Sequence, residues 1–218
     1  LAAQNLRPNY VSTSVLYPVL DKFRGTELPD FYAKLRHHHD FESFEQGGDE
    51  GAVLETDGLR RLDLERGSMQ LEEWPRTSFD VVQKNIVDIV ETANSHFGLY
   101  SVQVSHARIR ASLDLPHDGP AVLDVLKGDV IELADDQYAH LGAIERASVR
   151  FAGHRADPDV GWSIEIGPSF EDEHQVDLRL ETHPHYRTDR SEAVGDFLSL
   201  SYEFLDDKIV QFVNTFLN

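Results

Sequence analysis

Three short runs between residues 147 and 180 leave this chain little choice of architecture. Ala147, Val149 and Phe151 are apolar at every second position, as are Trp162, Ile164 and Ile166, and then Val176, Leu178 and Leu180. Residues two apart on a strand share a face, so each run has one buried and one solvated side. Ala156-Asp157-Pro158-Asp159 and Gly167-Pro168-Ser169 join them with turn-forming residues. A three-stranded antiparallel meander is the expected result. An earlier meander is expected from Ala52–Thr56, Leu59–Glu65 and Ser68–Glu73, divided by Asp57-Gly58 and Arg66-Gly67. Asp-Gly between apolar runs is the strongest short hairpin signal.

Between the meanders the period changes to three or four. Phe79, Val82, Ile86, Ile89, Val90, Ala93 and Phe97 mark a helix, with Thr77 or Ser78 as its cap and Gly98 as a left-handed stop. A second long helix is expected from Ser191 to about Leu217, with a stripe of Val194, Leu198, Tyr202, Leu205, Ile209, Phe212 and Phe216. Shorter helices are expected over Leu28–Phe44, ended by Gly47-Gly48, and over 122–141, broken at Gly128. After a loosely held start at residues 1–9, Val11–Leu20 reads as a strand that Pro18 pushes to a sheet edge. Tyr100–Leu115 is a strand whose apolar phase shifts from Val102 and Val104 to Ala107, Ile109, Ala111 and Leu113, which asks for a bulge near Ser105-His106.

These elements describe an α+β fold of antiparallel β-meanders packed against long helices. Leu62-Asp63-Leu64 and Asp177-Leu178-Arg179-Leu180 each lead, after a similar interval, into a long helix. An internal meander-plus-helix duplication is therefore an expectation. A single domain over 1–218 is the default for this length, and two packed halves, 1–115 and 116–218, are the alternative.

Charge narrows the partners. Twenty Lys+Arg stand against 39 Asp+Glu, a formal net charge of −19. Nucleic-acid affinity comes largely from Lys and Arg displacing counterions, so a chain this acidic with no basic run is not expected to bind nucleic acid. No apolar run approaches the ~20 residues of a membrane-spanning helix, and no membrane partner is expected. The absence of cysteine removes disulfides, thiolate metal sites and cysteine nucleophiles. With no secretory apolar segment visible, a cytoplasmic location is expected, although a leader removed ahead of Leu1 is left open.

Three constellations carry chemistry. His106, Arg108 and Arg110 share one parity of the central strand and could hold a carboxylate or phosphate, with cross-strand Asp or Glu as the competing partners. Arg150 and Arg179 lie on the solvated faces of their strands and could join that surface. Glu181, His183 and His185 would project together from an extended chain, and two imidazoles with a carboxylate suit zinc, iron or manganese. His37-His38-His39 cannot meet one metal from a helix, and reads as a solvated helix end. No catalytic residue is nominated, because no nucleophile elbow, phosphate-binding loop or dinucleotide fingerprint is present. The sequence identifies no cofactor.

In element order the chain resembles a sporadically distributed family of uncharacterised bacterial proteins. The matching pieces are Leu59–Leu71, Phe79–Phe97, Ser105–Leu113 with Arg108 and Arg110, and Glu192–Phe216. The resemblance implies a fold and no chemistry. The leading functional expectation is an acidic binding or assembly protein with a protein partner. Beyond its main stripe the last helix carries Phe197, Leu200, Phe204, Val210, Val213 and Leu217, wider than one sheet face needs. Phe197, Phe204, Val210 and Val213 are therefore the expected homodimer interface. The alternatives are a metal-dependent enzyme using Glu181, His183 and His185, and a small-molecule sensor whose pocket between sheet and helix is lined by Trp162, Phe151 and Arg108.

Overall fold

The structure is a computed structural model that describes residues 4–116, 119–131, 144–186 and 190–216. Its fold is α+β. The strands in chain order are β1 (Gln4–Leu16), β2 (Ser43–Gln46), β3 (Gly51–Thr56), β4 (Arg60–Glu65), β5 (Ser68–Glu73), β6 (Gln103–Asp114), β7 (Val149–Ala156), β8 (Asp159–Pro168) and β9 (Gln175–Pro184). All pair antiparallel in one sheet of order β2-β3-β4-β5-β1-β6-β9-β8-β7. The helices are α1 (Glu27–His39), α2 (Phe79–Phe97), the single turn α3 (Val122–Val125), α4 (Glu192–Glu203) and α5 (Val210–Phe216).

Outward from the central β1–β6 pair, the order is β5, β4, β3, β2 on one side and β9, β8, β7 on the other. A strand, a meander and a long helix follow one another twice, with β1 and β6 opening the two series, and the single turn α3 stands where the first series has the thirteen-residue α1. The long helices repeat the likeness in their buried positions. Val82, Ile86, Ile89 and Ala93 have the spacing of Val194, Leu198, Ser201 and Leu205. One sheet face lies against these helices and forms a single core with them. Alternate strand residues point into it, as in Leu62 and Leu64, Met69 and Leu71, Ile109 and Ala111, Leu178 and Leu180. Full burial of each such Leu or Ile stabilises by roughly 1.5–3 kcal/mol.

α2 matches its expected bounds, and Gly98 closes it at φ 64° with its N–H donated to Asn94 O. The bulge in β6 also falls where the phase shift asks for one, since Ser14 pairs with His106 while Val15 pairs with Val104, leaving Ser105 unpaired. Other expectations need correction. β1 begins by Gln4 and is central rather than an edge; Pro18 lies beyond its end, and Pro8 sits where the register shifts, so neither removes a needed ladder bond. α1 stops at His39 because Asp40 turns left-handed at φ 53°, and residues 43–46 become β2. Gly167 and Pro168 extend β8 instead of turning it. Gly128 breaks nothing, lying in a π-helical stretch over Leu126–Ile131. The rest of that expected helix, including Leu133, Tyr138 and Leu141, lies outside the described residues, as does Leu217.

The last helix explains its own second stripe. Between α4 and α5 a π-helical segment, Phe204–Ile209, widens the turn. The buried positions Ser201, Leu205, Ile209 and Val213 are accordingly four apart, and the inward face crosses from one apolar stripe to the other. Phe197 and Val213, expected at a subunit interface, are 1% and 3% exposed inside this chain, while Phe204 and Val210 are half-buried against the same core. Among the described residues, no helix is long and apolar enough to cross a membrane.

Candidate functional site

The other sheet face carries the chemistry, and the strand register arranges it in rows. In the second half, Arg110 of β6 stands opposite Arg179 of β9, Arg179 opposite Glu165 of β8, and Glu165 opposite Arg150 of β7. The next row inward along the strands runs Arg108, Glu181, Ser163. Beyond it stand His106 and His183, with ring centroids 6.0 Å apart, then Gly161 and His154. Arg108, Arg110, Arg150, Arg179, Glu165 and Glu181 line a shallow groove of ≈ 220 Å³. Four guanidinium groups there face two carboxylates, a local excess of positive charge on a chain at −19.

The arginines are not equally engaged. Arg108 donates from Nε and Nη2 to Glu181 Oε1, 3.0 Å each, which is the cross-strand pairing weighed against ligand capture. Arg179 reaches Glu165 only at 3.7 Å. Arg150 donates to Ser163 Oγ at 3.1 Å, and Arg110 lies over the Tyr10 ring at 4.8 Å. Neither Arg110 nor Arg150 has a carboxylate partner among the described residues. Two like charges directly opposite on a sheet repel, so the Arg110–Arg179 pair carries a cost that an anion placed between them would remove.

Burial works to raise the Glu181 carboxyl, but its Arg108 hydrogen bonds and the charges of Arg108, His183 and His106 outweigh that and hold it below the usual range. His106 is shifted down, first by burial and then by Arg108, and its buried Nε2 has no hydrogen-bond partner among the described residues. The expected trio of His106, Arg108 and Arg110 therefore shares one face as its parity requires, but Arg108 is paired with Glu181, and only Arg110 lacks a carboxylate partner among the described residues.

The expected metal trio divides. Glu181 and His183 stay together, 3.4 Å apart, beside Arg108. His185 instead joins His154 and Asp159, and the ligand atoms of these three lie within 4.8 Å of one another. Periodicity along one strand could not show this. The signal was the two-residue turn Asp157-Pro158: it pairs Ala156 with Asp159 and so brings His154 opposite Gly161, which pairs with His183. His37 and His38 are exposed, whereas His39 is buried, its pKa lowered first by burial and then by Arg60.

The residues expected to line a sensor pocket do not share one face. Trp162 and Phe151 point to the helix face, where they pack on Phe204 and Phe212 with centroids 5.3 and 5.2 Å apart. Arg108 is on the opposite face. The cavity beside Trp162 and Phe204 measures ≈ 20 Å³, about the size of one water molecule.

No known family model matches this chain, and no curated protein matches it in sequence.

Proposed function

We propose that the protein acts by binding, and that the open sheet face of its second half takes up an anionic group, a carboxylate or a phosphate. The observation that carries this reading is the directly opposed Arg110–Arg179 pair, with Arg150 two strands away and no carboxylate partner for Arg110 or Arg150 among the described residues. Guanidinium groups present planar donor forks that match carboxylate and phosphate oxygens. Their spread over three strands fixes their relative positions through the ladder rather than through a mobile loop. Ser163 adds a neutral hydroxyl at the floor of the groove. The remaining charge of the chain is strongly negative, which disfavours long polyanions and leaves compact anionic groups, free or on a protein partner, as the matching ligands.

Titration calorimetry with inorganic phosphate and with citrate tests this. Arg179→Ala and Arg110→Ala are each expected to weaken binding at least tenfold, and Arg36→Ala, exposed in the last turn of α1, to leave it unchanged. Equal affinity in all of these variants, or no binding of either anion, overturns the reading.

A further inference from the structure

The geometry points to a divalent-cation site formed by His154, Asp159 and His185, which we propose takes zinc or a similar first-row metal. It is separate from the anion groove and does not rest on it. The three residues come from three strands. His154 is near the end of β7, Asp159 opens β8 directly across the turn, and His185 follows β9. His154 Nε2 lies 2.6 Å from Asp159 Oδ1, and His185 Nδ1 lies 3.3 Å from the same oxygen. The two rings are tilted by 35° with centroids 5.4 Å apart. Two imidazoles thus converge on one carboxylate oxygen.

That arrangement is close to what a metal requires. Ligand atoms about 2.0–2.1 Å from a tetrahedral zinc lie roughly 3.3 Å from each other. The His185–Asp159 separation already has that value. His154 must withdraw by several tenths of an ångström from its hydrogen bond, an adjustment open to an exposed side chain. The backbone holds the set in place, because His185 N–H donates to Asp159 O at 2.9 Å. Gly161 is part of the design: a Cβ there would stand 2.9 Å from His185 Nε2, so any other residue would push the ring away. Two neutral nitrogens and a carboxylate are a borderline donor set that favours zinc over calcium or magnesium, and three protein ligands leave a coordination position open. His183 on the neighbouring row is engaged with Glu181 and is not one of the ligands.

The test uses full-length, untagged protein treated with a chelator and then titrated with zinc chloride. Bound metal is counted after dialysis, and cobalt substitution reports the coordination geometry. One zinc per chain is expected. His154→Ala and His185→Ala should each weaken it at least tenfold, Gly161→Ala should weaken it as well, and His183→Ala should not. Saturation at a hundredfold excess over Kd should raise the unfolding midpoint by about 5–10 °C, a gain absent from His185→Ala. No bound zinc, or zinc held equally by His154→Ala and His185→Ala as the exposed His37 and His38 would hold it, overturns the proposal.

Discussion

The two halves of the sheet share an element order and differ in where they put their charge. On the open face of the first half a groove of ≈ 390 Å³ is lined by Glu45, Glu50, Asp63 and Glu65, with no arginine or lysine in its wall. At the corresponding place in the second half the groove is lined by four arginines. On the helix face the contrast is inverted. The first half buries an ion pair, Arg60 donating to both oxygens of Glu73 at 2.6 and 3.2 Å, with Glu73 4% exposed. Among the described residues, the polar side chains the second half buries there are hydroxyls: Thr182 donates to Ser201 Oγ at 2.7 Å, and Ser201 to Phe197 O at 2.8 Å. One scaffold thus spends its arginine on internal structure and the other presents arginine to solvent. Topology constrains the backbone and the apolar alternation; it leaves the polar side chains free to diverge.

The largest effect should separate the arginines themselves. Arg60→Ala leaves Glu73 buried without its partner, and also removes the donor to His39 O at 2.5 Å. Breaking a buried pair from one side costs about 3–5 kcal/mol. Arg179→Ala removes an exposed side chain from a like-charge pair, and stability should stay within about 0.5 kcal/mol of the parent. Urea denaturation of both variants measures the difference directly. Similar losses in the two would mean that the second half also uses its arginines structurally, and would weaken the binding reading.

A smaller contrast is expected between the long helices. Ile89 of α2 and Ser201 of α4 occupy equivalent steps of the buried spacing. Ile89→Ala opens a cavity in a fully buried site and should cost about 3 kcal/mol. Ser201→Ala leaves Thr182 to turn to Ala107 O, 3.4 Å away, and should cost about 1 kcal/mol. A larger loss at Ser201 than at Ile89, again by urea denaturation, would show that the hydroxyl pair anchors the second helix more firmly than apolar contact anchors the first.

The parts legible in the sequence are those with a period. α2, both meanders and the β6 bulge follow from spacing alone, because burial on one face dictates every second or every third-to-fourth residue. The π-helical segment at Phe204–Ile209 defeats such reading, since a changed turn width carries the inward face from Leu205 and Ile209 on one stripe to Val213 on the other. Sites are harder still. Parity puts Arg108, Arg110, Arg150 and Arg179 on the solvated faces of their strands, but only the register of four strands sets Arg110 opposite Arg179. The approach of His185 to His154 and Asp159 depends on the Asp157-Pro158 turn of another hairpin, so a search for ligands along the Glu181–His185 run does not bring these three together.

The smallest effect distinguishes two histidines on opposite faces of the sheet, one buried and one half-buried. His39, under the first half, and His106, on the open face at the boundary, both have pKa values lowered chiefly by burial. A histidine whose folded pKa lies below its unfolded value, about 6.5, binds fewer protons in the native state. Its contribution to stability is complete above pH 6.5 and is lost as the pH falls toward the folded pKa. Stability of the parent protein should therefore decline from pH 7 to pH 5, and His39→Asn and His106→Asn should each flatten that decline. An anion in the arginine groove gives the protonated form of His106 a counter-charge and works to raise its pKa, whereas His39 lies on the other side of the sheet. Adding phosphate should thus flatten the pH dependence in the His39→Asn variant, where His106 still titrates, and have a smaller effect in His106→Asn. A phosphate effect of the same size in both would place the anion away from His106 and shift its site toward Arg150.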